Sequence, residues 1–252
     1  MFERCSNDTH CQLAFPDLEQ STLALLDDLR EQPREITFEN FDTGSLDSIR
    51  LSVHHITLTM RILSYSSHGV SILPYLLNEA YANDNFAPLA RQASLQTDKL
   101  TSSLATGMHN AIICTEDAPL ARNDSGSPDR YSNTYLGDTP LKALESNCKY
   151  WPAGVIDLDF HEKVTSDAQV LVLSGTADPI TPDAYGEKVV ADLPNALHIV
   201  NPYQGHVQIA LGCTPAIVAN FIQKGLTRDI DYGCLERLRA EPFFIDANGP
   251  RP

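Results

Sequence analysis

The sequence predicts an α/β fold in which a short parallel sheet follows a mostly helical region. Two apolar runs in the second half, residues 169–174 and 197–200, have the composition of buried strands. A helix is predicted over residues 183–193, with Pro182 at its first turn. Because strand, helix and strand follow one another closely, the two strands are expected to be parallel neighbours joined by a right-handed crossover. A final helix is predicted over residues 214–224.

The first 110 residues carry the helical region. Residues 36–38 and 46–51 flank a turn and predict a small hairpin. Helices are expected around it, because apolar residues recur there at helical spacing. The residues that define these helices are Leu18, Leu25, Leu26 and Leu29, then Val53, Ile56, Met60 and Leu63, then Ile72, Leu73, Leu76, Leu77 and Ala80. A further helix is predicted over residues 86–104, and a polar loop over 121–137.

Two titratable side chains follow the predicted strands. Asp178 comes after the first strand and His206 after the second. The carboxyl ends of parallel strands meet at one edge of a sheet, which is where catalytic groups lie in such folds. A carboxylate beside an imidazole there would orient the ring and stabilise its charged form. Asp183 competes for the role of the acid, but its position past Pro182 favours a place at the start of a helix.

Four motifs carry a resemblance to a known family. They are Gly-Thr-Ala-Asp-Pro-Ile-Thr-Pro at residues 175–182, Leu-Pro-Asn-Ala at 193–196, Tyr-Gln-Gly-His at 203–206 and Gly-Cys at 212–213. In this order they resemble the tripeptidyl and prolyl aminopeptidase-like serine peptidases of the α/β-hydrolase superfamily. The third motif departs from the family's Gly-Gln-Gly-His at its first position. The resemblance extends over nearly the whole chain.

The resemblance implies an incomplete α/β-hydrolase fold. Residues 1–110 would form the helical lid with its hairpin, and residues 111–252 the C-terminal part of the hydrolase core. Asp178 would be the acid and His206 the base of a Ser-His-Asp triad, since the members of the fold carry Ser, Asp or Glu, and His in that order along the chain.

No candidate for the serine nucleophile is present. A nucleophile elbow reads Gly-x-Ser-x-Gly on a strand-to-helix turn, and none of the thirteen glycines stands four residues from another. In the family that the chain resembles, the elbow precedes the lid. The resemblance therefore implies that the half with the nucleophile is missing. We expect the chain to be inactive alone and to depend on that half for folding or activity.

Two adjacent carboxylates, Glu116 and Asp117, are candidate substrate-binding residues. They follow residues 111–114, a short apolar stretch that is expected to be buried. In the aminopeptidases that the chain resembles, glutamates of the lid bind the free α-amine of the substrate. The resemblance implies this role for Glu116, with Asp117 beside it, and a peptide with a free amino terminus as substrate. The alternative, that the two residues merely begin a loop, stays open.

Six cysteines indicate disulfides rather than a metal site, since none has C-x-x-C spacing. Six cysteines allow 15 pairings, and the sequence alone does not select one. Their proximity and the family pattern favour pairing in sequence order. The expected pairs are Cys5 with Cys11, Cys114 with Cys148, and Cys213 with Cys234. Disulfides imply that the intact parent protein is secreted, although the chain carries no signal peptide.

The charge balance excludes several function classes. A net charge of −15 and a pI near 4.8 disfavour nucleic acids and anionic membranes, and favour cationic groups such as a free amine. No apolar run is long enough to span a membrane. The adjacent His54 and His55 would point to different faces of a helix, and no phosphate-binding loop is present. We therefore expect no cofactor and no metal.

The predicted function is that of the C-terminal portion of a secreted serine hydrolase, an aminopeptidase that releases short units from peptide amino termini. Two alternatives remain. Fold does not fix substrate, so the parent can instead be an esterase or another α/β-hydrolase. The chain can also be a non-catalytic remnant or binding module.

Overall fold

The computed structural model describes residues 1–41, 43–123, 131 and 134–251. Most of the loop that the sequence predicts over residues 121–137 therefore lies outside the described residues, and its first three residues belong to a helix. The fold is mixed α/β, with a large helical region and a small parallel sheet, and fits part of an α/β-hydrolase with a helical lid.

The helical region begins with two short helices and contains the predicted hairpin. Its elements are α1 (Phe2–Ser6), α2 (Thr9–Ala14), α3 (Leu18–Glu31), β1 (Arg34–Glu39), β2 (Leu46–Leu51), α4 (Val53–Leu63), α5 (Ser67–Ala82) and α6 (Ala87–Ser103). Strands β1 and β2 pair antiparallel, with Ile36 opposite Ile49. The apolar stripes of the helices meet in one core, in which Leu26, Ile56 and Leu77 are fully buried.

Three more helices follow, and they bear on two of the expectations from the sequence. They are α7 (Thr106–Glu116), α8 (Ala118–Asn123) and α9 (Thr139–Cys148). The boundary expected at residue 110 therefore falls inside α7, and helices continue to Cys148. The stretch 111–114 is helical, and only Cys114 of it is buried, whereas Ile112 is 43% exposed. A short apolar run does not reveal which side of a helix packs, and this helix packs against α8 and α9.

The parallel sheet consists of β3 (Val170–Gly175) and β4 (Ala196–Asn201), with Leu173 opposite Ile199. Helix α10 (Asp183–Val190) connects the strands and packs against both. Helix α11 (Thr214–Lys224) ends at Gly225, whose φ of 64° suits a glycine. A second apolar cluster joins β4, α11 and a 3-10 helix at Gly233–Arg237.

The end of the chain returns to the helical region. Phe243 is buried in the main core, and the guanidinium of Arg4 lies 3.9 Å from the centre of its ring. Arg4 also donates a hydrogen bond to the Glu241 carbonyl at 3.1 Å, and the Phe244 N–H donates to the Ser71 carbonyl at 3.0 Å. The chain thus ties its sheet-bearing part back to α1 and α5.

Candidate active site

The two strand ends bring Asp178 and His206 together. Asp178 lies three residues after β3 and His206 five residues after β4. Nδ1 of His206 is 2.9 Å from Oδ2 and 3.2 Å from Oδ1 of Asp178. The carboxylate side chain is only 4% exposed, and the imidazole is 27% exposed. Among the described residues no group forms a hydrogen bond with Nε2, so this nitrogen is free for a partner from outside them.

The Asp178 carboxylate is held by its own loop. The N–H groups of Ile180 and Thr181 donate to Oδ1 at 2.8 and 3.0 Å, and the Thr181 hydroxyl donates to Oδ2 at 2.8 Å. Burial alone would raise the pKa of Asp178, but these hydrogen bonds and the one from His206 outweigh it and hold the pKa below its usual value. Asp178 is therefore an anion at neutral pH, as an orienting acid must be.

Hydrogen bonds also join the loop of Asp178 to the loop of His206. The Ala177 N–H donates to the Gln204 carbonyl at 3.0 Å. The Tyr203 N–H donates to the Thr176 hydroxyl at 2.8 Å. These bonds fix the two loops relative to each other, so the acid and the imidazole do not depend on their own contact alone for alignment.

The helical region reaches the site through the corner between α4 and α5. The Tyr65 carbonyl accepts a hydrogen bond from the His206 N–H at 2.8 Å. The two rings meet edge to face, with centres 5.3 Å apart. Gly205 allows this approach, because a Cβ there would overlap the Tyr65 carbonyl oxygen and lie 2.7 Å from its carbonyl carbon. Tyr65 was missed in the sequence, where no periodicity or motif links it to His206.

A cavity of about 450 Å³ is lined by residues next to Asp178 and His206 in the sequence. Ser66 and Val70 line it from the helical corner, Thr176 and Ala177 from the loop after β3, and Gly205 from the loop of His206. It therefore lies between the helical region and the loops that follow the two strands, and neither Asp178 nor His206 lines it.

Glu116 and Asp117 lie in another part of the chain. Glu116 is the last residue of α7 and is half-buried, while Asp117 is exposed. Among the described residues, no hydrogen bond or ion pair connects either carboxylate to Asp178 or His206. The structure therefore brings together the predicted acid and base, but does not link the predicted amine-binding residues to them.

The expected disulfide pairs are the bonded pairs. The Cα–Cα distances are 5.2 Å for Cys5–Cys11, 5.1 Å for Cys114–Cys148 and 6.5 Å for Cys213–Cys234. In the described part of the chain, no three His, Cys, Asp or Glu side chains are grouped as metal ligands. No helix among the same residues has the length and apolar character needed to cross a membrane.

Residues 133–234 match the family model described as TAP-like protein. This match supports a relationship of the segment to the TAP-like proteins of the α/β-hydrolase superfamily. The TAP-like segment contains both strands of the parallel sheet, Asp178, His206 and the Cys213–Cys234 disulfide. No curated protein and no solved structure matches the chain.

Proposed function

We propose that Asp178 and His206 are the acid and base of a Ser-His-Asp hydrolase, and that the chain is the C-terminal portion of a secreted aminopeptidase. The observation that carries this proposal is the contact of His206 Nδ1 with the Asp178 carboxylate at the strand ends. Its position in a TAP-like segment supports hydrolysis as the reaction.

In this mechanism His206 works through Nε2. That nitrogen accepts the proton of a serine hydroxyl as the serine attacks the scissile carbonyl, and then passes the proton to the leaving amine. Asp178 accepts a hydrogen bond from Nδ1–H, which leaves Nε2 without a proton in the neutral ring, and it stabilises the imidazolium that forms. The serine belongs to a segment outside these 252 residues, and the backbone donors of the oxyanion hole lie near it.

The substrate proposal is a peptide with a free amino terminus. Glu116 would bind the α-amine, with Asp117 beside it, and the net charge of −15 would attract such a cation. The three disulfides support secretion of the parent protein.

Peptide anilide hydrolysis tests the acid–base pair. We expect no turnover by the 252-residue chain alone, because covalent catalysis needs the serine. In a longer polypeptide that joins this chain to a segment with a serine elbow, His206→Gln and Asp178→Asn should each lower kcat/KM about 10³- to 10⁴-fold. His109→Gln, at an exposed histidine, is the matched control. Full activity in the His206→Gln enzyme, or turnover by the short chain, would refute the proposal.

A second assay of the longer polypeptide tests the substrate class. Peptides with a free amine should be cleaved and amine-blocked ones spared, and Glu116→Gln should raise KM for free-amine peptides more than Asp117→Asn does. Equal rates on both peptides would remove the amine anchor and favour an esterase or another hydrolase. If the longer polypeptide cleaves neither kind of peptide, the alternative that remains is a non-catalytic remnant or binding module.

A further inference from the structure

The backbone on either side of His206 is strained. Tyr203 has a φ of 62° and Val207 a φ of 65°, in the left-handed region that residues other than glycine rarely adopt. Val207 is β-branched, which makes this conformation especially unfavourable. Such a backbone persists only where its surroundings determine it from several directions, and it is concentrated at functional sites. The loop of His206 therefore needs groups that hold it in place.

The side-chain amide of Gln208 is one of these groups. Gln208 is only 5% exposed, and its Nε2 donates a hydrogen bond to the carbonyl of Gly205. On the sheet side, Gly175 leaves room for this contact, since a Cβ there would lie 2.6 Å from both Gln208 Nε2 and the Gly205 oxygen. The glutamine amide thus fills the space between the end of β3 and the loop.

Gln208 is itself fixed by Asn201, the last residue of β4. Nδ2 of Asn201 lies 2.9 Å from Gln208 Oε1 and 3.0 Å from Thr214 Oγ1. Asn201 and Thr214 are fully buried. The amide of Gln208 is therefore oriented by the rigid end of a strand and the first residue of α11.

The Gly205–His206 peptide group is held at both of its polar atoms. Its carbonyl accepts from Gln208, and its N–H donates to the Tyr65 carbonyl on the opposite side. Because rotation of this peptide would swing the His206 Cα and ring, fixing the peptide fixes the direction of the imidazole toward Asp178.

We propose that Gln208 is a positioning residue for His206, acting through the Gly205–His206 peptide. This inference rests on the proposed function, because it assigns Gln208 the task of aligning the catalytic base. Gln208 touches neither the reacting atoms nor the ring, and its effect is confined to the alignment of Nδ1 with Asp178.

The test measures the tautomer of His206 by ¹⁵N NMR in the 252-residue chain, at a pH where the imidazole is neutral. The His206→Gln spectrum assigns the signals. In the wild type, donation to Asp178 should keep the proton on Nδ1. Gln208→Met, which has similar volume but no amide, should make the Nε2–H form the major one. Gln208→Glu should do the same, since it keeps an acceptor for Asn201 but loses the donor to Gly205.

Gln223→Met, on the exposed side of α11, is the control and should leave the tautomer unchanged. If Gln208→Met does not fold, the His206 tautomer in Gln208→Glu decides whether the inference holds. A lower melting temperature with an unchanged Nδ1–H tautomer would show that Gln208 is merely structural and overturn the inference. An Nε2–H tautomer already in the wild type would instead contradict the Asp178–His206 pair, and with it the proposed function.

Discussion

The Tyr65 carbonyl accepts a hydrogen bond from the backbone N–H of His206 at 2.8 Å. This bond joins the helical corner between α4 and α5 to the loop that carries the candidate base. The helical region is thus in direct contact with the site. Substitutions at the corner are therefore expected to change the position of the His206 imidazole.

Gly205→Ala tests this contact. The new Cβ would overlap the Tyr65 carbonyl, so the corner and the loop must separate, and we expect a loss of about 1–3 kcal/mol in the free energy of unfolding. Gly107→Ala is the control. It lies in α7, where a Cβ would meet only Trp151 at 3.8 Å, and should stabilise by about 0.5–1 kcal/mol. Urea unfolding measures both, and equal effects would contradict the close approach at Gly205.

Thr181→Val tests the support of the acid. It removes the hydroxyl donor to Asp178 Oδ2 but keeps the backbone N–H donor to Oδ1. The pKa of Asp178 should rise, and the free energy of unfolding should fall by about 1–2 kcal/mol. Carboxyl ¹³C NMR follows the pKa. Thr101→Val, at an exposed helical position, should change neither quantity measurably. An unchanged Asp178 pKa in Thr181→Val would show that the hydroxyl bond is absent in solution.

The lowered pKa of Asp178 makes stability depend on pH. The folded protein binds this proton less readily than the unfolded chain, where the pKa is near 3.8. The contribution of Asp178 is therefore complete above that value and is lost as the pH falls through the lower folded pKa. Asp178→Asn should flatten this part of the curve of unfolding free energy against pH. The same slope in wild type and variant would mean that other groups cause it.

Phe243→Ala tests the return of the chain end to the helical core. Because Phe243 is buried beneath the Arg4 guanidinium, its truncation should cost about 3–5 kcal/mol. Phe41→Ala, at a side chain that is 72% exposed, should cost less than about 1 kcal/mol even though Arg91 stacks on that ring. Thermal and urea unfolding give both values, and a small loss at Phe243 would show that the end of the chain is not part of the core.

Local chemistry explains which parts of the fold the sequence reveals. The strands and helix around Asp178 were predicted because apolar runs, Pro182 and the turn residues all lie within one short segment. Gly225 marks the end of α11 through its left-handed backbone. Helix α7 was misjudged at residues 111–114, because burial there depends on which helices pack beside it rather than on the run itself.

The site shows the same limit. Asp178 and His206 could be paired in advance, because the carboxyl ends of neighbouring parallel strands lie at the same edge of a sheet. Tyr65 and Gln208 could not be found this way. Tyr65 contributes its backbone carbonyl and Gln208 contacts the carbonyl of Gly205, and every residue type has such a carbonyl. The return of Phe243 to the core escaped prediction for a similar reason, because nothing local indicates the partner of a lone aromatic residue.

The ring N–H proton of His206 gives the most direct test of the central claim, that Asp178 holds the imidazole through Nδ1. Proton NMR of the wild-type chain should show this proton far downfield and slow to exchange with water, and Asp178→Asn should abolish the signal. A His206 ring proton that exchanges as fast as that of the exposed His10, with no change in Asp178→Asn, would contradict the pair and the hydrolase proposal that depends on it.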